Sequence, residues 1–127
     1  MSETGYVLVL DDDEMTIALM RQYLKAMDIP AITATDGETG LEILAQRGEE
    51  IRLVLLDLAM PHMNGYEVCA AIRANPDTAD LPVVAVTART GHEVDELAAE
   101  AGIDEIIPKP FDPAHLREVI ARFASPD

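Results

Sequence analysis

The sequence predicts an α/β fold, a (βα)5 chain that forms one doubly wound, five-stranded parallel sheet with helices on both faces. Two observations carry this. Apolar runs of strand length recur five times, at residues 6–10, 31–34, 53–56, 82–86 and 105–107, and segments with helical spacing fill the gaps. Two of the runs are apolar throughout instead of alternating, the pattern of strands covered on both faces.

Each element has its own signals. After the first run, Met20, Leu24 and Met27 recur at spacings of four and three, which predicts a helix over 14–27 that Pro30 prevents from continuing. Asp36-Gly37 makes a turn before a helix over 39–46, where Leu41, Leu44 and Ala45 face inward. Asn64 caps a helix through Ile72, with Val68, Ala71 and Ile72 on one face. A fourth helix covers 92–101 and ends at Gly102, the residue favoured just past a helix C-terminus. Asp112 caps the fifth, Pro113 takes its first position, and Leu116, Val119, Ile120 and Phe123 form its apolar stripe. These units fill residues 1–127 as one domain, with an ordered core over about 5–124 and a frayed Ser125-Pro126-Asp127 end. No linker interrupts them, so a whole protein is expected rather than a domain cut from a longer regulator.

Composition narrows the function. The chain carries 24 Asp and Glu against 9 Lys and Arg, a formal net charge of −15. With 49% hydrophobic residues it is too apolar for a disordered acidic tail. So acidic a surface repels phosphate backbones and anionic lipid, which excludes a nucleic-acid or membrane partner. The longest apolar stretches span four or five residues, against the roughly 20 a bilayer requires, and the N-terminus lacks the features of a secretion signal. A single cysteine, Cys69, cannot form an internal disulfide, which suits a reducing cytoplasm. Its place in an apolar helical pattern makes it a packing residue.

Open parallel sheets collect functional groups at the carboxyl ends of their strands. Here the first strand is followed by Asp11, Asp12 and Asp13, the third by Asp57, the fourth by Thr87 and the fifth by Lys109. With the strand order 2-1-3-4-5 these converge on one edge. Neighbouring carboxylates raise one another's pKa unless compensated, and oxygen-only ligands suit a hard cation such as Mg²⁺. An ammonium and a hydroxyl beside such a metal describe a site for an incoming phosphoryl group, which one carboxylate can attack. Taken singly the residues have plainer readings: Asp11 to Asp13 as acids at a helix N-terminus, Asp57 as a loop cap, Thr87 as a strand residue, Lys109 as an exposed turn. Their coincidence at strand ends on one side of one sheet favours the site.

In their order, these motifs resemble the receiver domain of bacterial two-component response regulators over essentially the full chain. The residues concerned are Asp11-Asp12, the segment Asp57-Leu-Ala-Met-Pro-His-Met-Asn-Gly65, Val86-Thr87-Ala88 and Lys109-Pro110-Phe111. The resemblance implies a flavodoxin-like three-layer fold and a role for each residue. Asp57 would accept a phosphoryl group from a phosphohistidine on a sensor kinase or a histidine phosphotransfer protein. Asp11, Asp12, Asp57 and the backbone carbonyl of Ala59 would hold Mg²⁺, with Mn²⁺ as the alternative. Thr87 would bind the acyl phosphate and move on activation, Ala88 would leave it room, and Lys109 would pair with it. The Lys109-Pro110 bond would be cis.

Two positions depart from the family pattern. Ile106 stands where an aromatic residue usually accompanies the threonine shift, and Asn64 replaces the commoner Asp. Resemblance also places output on the fourth helix, fifth strand and fifth helix, and from Glu93 to Glu105 there are six acids (Glu93, Asp95, Glu96, Glu100, Asp104, Glu105) and no Lys or Arg. Glu96 and Glu100 are therefore candidate contacts for a basic downstream protein. Met15 and Leu19 on the first helix, with Pro110 and Phe111, are candidates for receiving the phosphodonor. His62, His92 and His115 lie in separate segments and read as solvated residues, although His62 and Arg89 flank the acidic edge.

Three other classes compete with a non-enzymatic signalling domain. An aspartyl-nucleophile phosphatase wants a second carboxylate two residues past the nucleophile, and that position is Ala59. A flavin carrier wants a Ser, Thr or Gly-rich loop where three aspartates stand. A phosphorylation-independent interaction module has only Ile106 in its favour.

Overall fold

The structure, a computed structural model, describes residues 5–123. The N-terminal residues 1–4, the expected core limit at Ala124 and the expected frayed end at 125–127 lie outside the described residues. Strands β1 (Tyr6–Leu10), β2 (Ala31–Ala34), β3 (Ile51–Leu56), β4 (Val83–Thr87) and β5 (Glu105–Pro108) alternate with helices α1 (Glu14–Ala26), α2 (Gly37–Arg47), α3 (Gly65–Ala74), α4 (His92–Ala101) and α5 (Pro113–Phe123). The strands form one parallel sheet in the order β2-β1-β3-β4-β5. The predicted fold class and strand order are both observed.

Period-2 alternation splits the interior into two cores. Val7, Val9, Leu53, Leu55, Val84, Val86 and Ile107 pack against Ile17, Met20 and Leu24 of α1 and Leu116, Val119 and Ile120 of α5. Leu8, Leu10, Val54, Leu56, Val83 and Ala85 pack on the opposite side with Leu44 of α2 and Val68, Cys69 and Ile72 of α3. The three central strands are nearly all buried, whereas β2 and β5, the sheet edges, are mostly half-buried. That difference follows from position, since an edge strand has a neighbour on one side only.

Local chemistry adjusts several predicted boundaries. Asp36 is the N-cap of α2, its carboxylate accepting the Thr39 amide at 2.7 Å, so the helix starts at Gly37 and not after a turn. The inward stripe is accordingly Gly37, Gly40 and Leu44, with Leu41 half-buried, and Ala45 faces solvent instead of the core. A 3-10 turn over Gly48–Glu50 delivers the chain to β3, which begins at Ile51, two residues before the purely apolar run. Pro82 has no N–H to contribute, and β4 starts after it; the Pro82 carbonyl still accepts the Val54 amide at 3.0 Å. Cys69 is fully buried, and burial pushes its thiol up to about 11, which keeps it a packing residue. No helix among the described residues is long and apolar enough to cross a membrane.

Replacing Leu53, fully buried between two helical layers, by Ala is expected to cost about 2–5 kcal/mol in urea unfolding. Leu19→Ala, at a side chain 44% exposed, should stay within about 0.5 kcal/mol of the parent.

Candidate functional site

The parallel ladder continues past the ends of its strands, and this places the acidic groups. The Asp11 amide donates to the Ala34 carbonyl (3.2 Å), the Asp57 amide to Leu10 (3.0 Å) and the Lys109 amide to Thr87 (2.9 Å). Three backbones are thus held in register just beyond β1, β3 and β5. Asp11, Asp57 and Lys109 extend the alternation that sends Val9, Leu55 and Ile107 toward the core under α1 and α5. Their side chains consequently converge.

Asp13 separates from the other two acids of its run. Its carboxylate caps α1, accepting from the Met15 amide (3.1 Å) and the Thr16 hydroxyl (2.9 Å), and those bonds hold its carboxyl below the usual range. The plain reading of the triplet as helix-capping acids therefore holds for Asp13. Asp11, Asp12 and Asp57 each present an oxygen within 4.8 Å of the others, the one group among the described residues with the makings of a metal site. Lys109 Nζ donates to Asp11 Oδ2 at 2.8 Å and to Asp57 Oδ2 at 3.1 Å. Asp11 and Asp57 are buried and Asp12 is exposed.

The electrostatics are unbalanced. Burial raises the Asp11 carboxyl above its ordinary value, against the opposing pull of the Lys109 hydrogen bond. Burial also works to lower Lys109, but its bonds and charge attraction to Asp11 and then Asp57 outweigh it and the ammonium is held on. Three carboxylates face one ammonium, and the donor set is oxygen only. Such a set fits a hard divalent cation.

The loop bearing Asp57 is braced by α3. Ala59 N donates to Asp57 Oδ1 (3.2 Å), and Ala59 itself is exposed. Asn64 and Glu67 form a reciprocal capping box, so Asn64 meets the capping requirement of α3 as an Asp would. Gly65 is a residue whose importance the motif alone does not explain. A Cβ there would lie 2.5 Å from the Asp57 carbonyl oxygen and 2.8 Å from Leu58 Cα, both backbone atoms. Only glycine lets the first turn of α3 close on the Asp57 loop, where the Gly65 amide donates to the Leu58 carbonyl at 3.0 Å.

Thr87 is fully buried at the end of β4 and follows the opposite alternation, with Val83 and Ala85. Its hydroxyl accepts the Arg89 amide at 3.2 Å, so in this state it serves the loop that follows β4. Ala88 and Arg89 are exposed. Ile106 pairs in register with Ala85, half-buried against the α2/α3 core. The Lys109-Pro110 peptide is cis.

The candidate docking residues fare differently. Met15 is 81% exposed and Leu19 also faces out, because Ile17, Met20 and Leu24 take the inward face of α1. Pro110 is exposed, but Phe111 packs edge-on against Tyr23, 5.5 Å between ring centres, and belongs largely to the core under α1 and α5. Glu96 and Glu100 are exposed, with His92 Nε2 3.1 Å from Glu96. Two of the six acids counted as a docking face are already paired with arginines of this chain. Asp104 pairs with Arg73 (3.0 Å), and Glu105 with Arg122 (3.0 Å). Spacing along the chain gives no sign of the Arg73 pairing, which joins residues 31 positions apart.

The structure defines a doubly wound α/β domain with an acidic cluster and a lysine at the carboxyl edge of its sheet, and known proteins specify it further. The response regulator receiver domain family matches residues 7–121. The chain belongs to that family. The transcriptional regulatory protein CpxR of Escherichia coli is 38% identical over 117 residues, covering 91% of this chain and 46% of that protein. This chain thus spans about half the length of that relative. The chemotaxis response regulator CheY4 of Vibrio cholerae superposes with a TM-score of 0.85 at 26% identity, over 94% of this chain and 98% of that one. The receiver domain of a sensor histidine kinase from Pseudomonas aeruginosa, solved with a magnesium ion coordinated in its active site cleft, has the same fold (TM-score 0.86, 22% identity, 94% and 97% covered).

Gly65→Ala is expected to lower stability by about 1–3 kcal/mol, since backbone atoms cannot yield to the new methyl group. Urea unfolding measures the loss, and amide chemical shifts at Asp57 and Leu58 should move more than those on β2.

Proposed function

We propose that this receiver domain is a phosphoacceptor of two-component signalling, taking a phosphoryl group from a phosphohistidine onto Asp57. The observation that carries the reading is the buried Asp57 carboxylate, hydrogen-bonded to Lys109 Nζ at 3.1 Å beside Asp11 and Asp12. An Asp57 oxygen attacks phosphorus, the P–N bond breaks, and the electron pair leaves with the imidazole of the donor. Lys109, already held at that carboxylate, offers a compact positive charge to the phosphoryl oxygens. Thr87 supplies a hydroxyl once it gives up the Arg89 amide, and Ala88 leaves the approach open.

Asp11, Asp12, Asp57 and the Ala59 carbonyl are the groups that would hold Mg²⁺ or Mn²⁺, which when bound neutralises both the clustered carboxylates and the phosphoryl oxygens. No ionisable group stands at Ala59, two residues past the nucleophile, so the arrangement is that of a signalling domain and not of a turnover phosphatase. The donor, a histidine kinase or phosphotransfer protein of the cytoplasm, docks on the outward Met15 and Leu19 with Pro110. A downstream protein reads α4, β5 and α5, and Ile106 replaces the aromatic member of the switch by following Thr87 within the Ala85 register.

Incubation with Mg²⁺ and a small phosphodonor is expected to add one phosphoryl mass, lost in Asp57→Asn and on removal of the metal with EDTA. Continuous release of phosphate would instead establish a phosphatase, and no adduct at all an interaction module. Met15→Asp and Leu19→Asp should slow transfer from a phosphohistidine protein at least about fivefold while leaving the small-donor reaction intact. Charge reversal at Glu96 and Glu100 should weaken binding of a basic output partner and flatten its salt dependence, as measured by titration at several ionic strengths.

A further inference from the structure

At the end of the sheet opposite the acidic cluster, one guanidinium gathers four segments of chain. Arg73, in the last turn of α3, donates from Nε and Nη2 to the Gly102 carbonyl (3.1 and 2.8 Å), from Nη2 to Asp104 Oδ2 (3.0 Å), and from Nη1 to the carbonyls of Ala79 (3.0 Å) and Leu81 (2.6 Å). All five N–H groups of the fork are satisfied, a capacity only arginine has. Asp104 Oδ2 also accepts the Val83 amide at 2.9 Å, and the Asp104 amide donates to the Val83 carbonyl at 2.8 Å. Gly102, the left-handed C-cap of α4 at φ 92°, lies against Arg73, and a Cβ there would meet its Cγ and Nε at 2.9 Å. The C-terminal end of α4 is therefore tied to α3 and to the starts of β4 and β5.

The other end of α4 is held more lightly, by Val94 packed half-buried against the α2/α3 core and by the Asp95 amide donating to the Gly91 carbonyl at 3.0 Å. Its N-cap, Gly91 at φ 128°, has open space around it and offers no side chain to cap the helix. Residues 88–91, all exposed, lead back along the chain to Thr87, whose hydroxyl accepts the Arg89 amide. Of the ten residues of α4 only Ala98 is fully buried, and Glu100 in the last turn opposes the helix dipole with no basic residue beside it on the helix. One end is clamped by a fully bonded guanidinium, the other is held by the packing of Val94, and that more lightly held end is the one joined to the site.

We propose that Arg73 is the positioning residue of the switch, clamping α4 at Gly102 so that a shift of Thr87 swings the helix from Gly91 as a lever instead of melting or sliding it. This rests on the phosphoacceptor reading for the trigger, but the clamp itself is a property of the resting fold. With both ends free, a displacement passed through four exposed residues would be dissipated in fraying. With the far end held, it becomes a reorientation of the exposed face that carries Glu93, Glu96, Leu97 and Glu100.

Residue-resolved amide hydrogen exchange on the full chain, resting and with Mg²⁺ and beryllofluoride, tests the lever. In the resting protein the Asp95 and Glu96 amides should exchange at least about tenfold faster than those of Gly102 and Ile103. Beryllofluoride should alter exchange over 88–96 and leave 101–104 unchanged. Arg73→Met should bring the two ends within about threefold of each other and spread the beryllofluoride effect to 101–104, while the adduct on Asp57 still forms. Arg73→Lys, which keeps the charge but not the fork, should move the same way by a smaller amount, and serves if the Met variant does not fold. Equal exchange at the two ends of α4 in the parent, or a parental pattern in either variant, overturns the clamp. An adduct whose effect is even along α4 overturns the lever alone, whereas absence of any adduct in the parent removes the phosphoacceptor reading and the lever with it.

Discussion

Everything at the functional edge depends on carboxylates being held together against their own repulsion. Two interactions do this. The ladder bonds from Asp57 to Leu10 and from Asp11 to Ala34 continue the sheet beyond its strands, so the backbones cannot separate. Lys109 then bridges Asp11 and Asp57 with a single ammonium, which offsets part of the charge and leaves the remainder for a cation. The two apolar cores, with β1 and β3 buried between them, make that edge rigid enough for so unfavourable an arrangement to persist.

The large negative charge divides by location more than by number. Asp11, Asp12 and Asp57 build the site, while Asp13 and Asp36 cap helices and are held below the usual carboxylate range by the bonds they accept. Asp104 and Glu105 are engaged at the surface by Arg73 and Arg122. What remains is the acidic face of α4 itself, Glu93, Asp95, Glu96 and Glu100, on the helix with the fewest buried residues. That acidic face and the Arg73 bonds to Gly102 thus lie on one element, at its exposed side and its C-terminal end.

Fold and site were legible to different depths. Strand order, helix count and the convergence of Asp11, Asp57 and Lys109 follow from continuous apolar runs and from what stands at their ends, whereas Thr87 takes the opposite alternation and its hydroxyl accepts the Arg89 amide. Capping shifted boundaries by a residue or two, as at Asp36, because a side-chain bond to a backbone amide decides where a helix begins. Phe111 shows another limit. Its place in the Lys109-Pro110-Phe111 motif suggested a surface contact, but the ring finds Tyr23 across α1, a partner that no local pattern announces.

The sequence by itself determined which groups are available: carboxylates, an ammonium and a hydroxyl, each placed at a strand's carboxyl end by the βα repeat. That much is local, since strand length and alternation set where each side chain emerges. Only the tertiary structure decided how the groups are shared out. It sent Asp13 to a helix cap, turned the Thr87 hydroxyl toward the loop amide of Arg89, required glycine at position 65 to let α3 meet the Asp57 backbone, and drew Arg73 across to Gly102 and Asp104. These are contacts between residues set by three-dimensional approach and by competition for donors, and neither has a periodicity that a one-dimensional reading can detect.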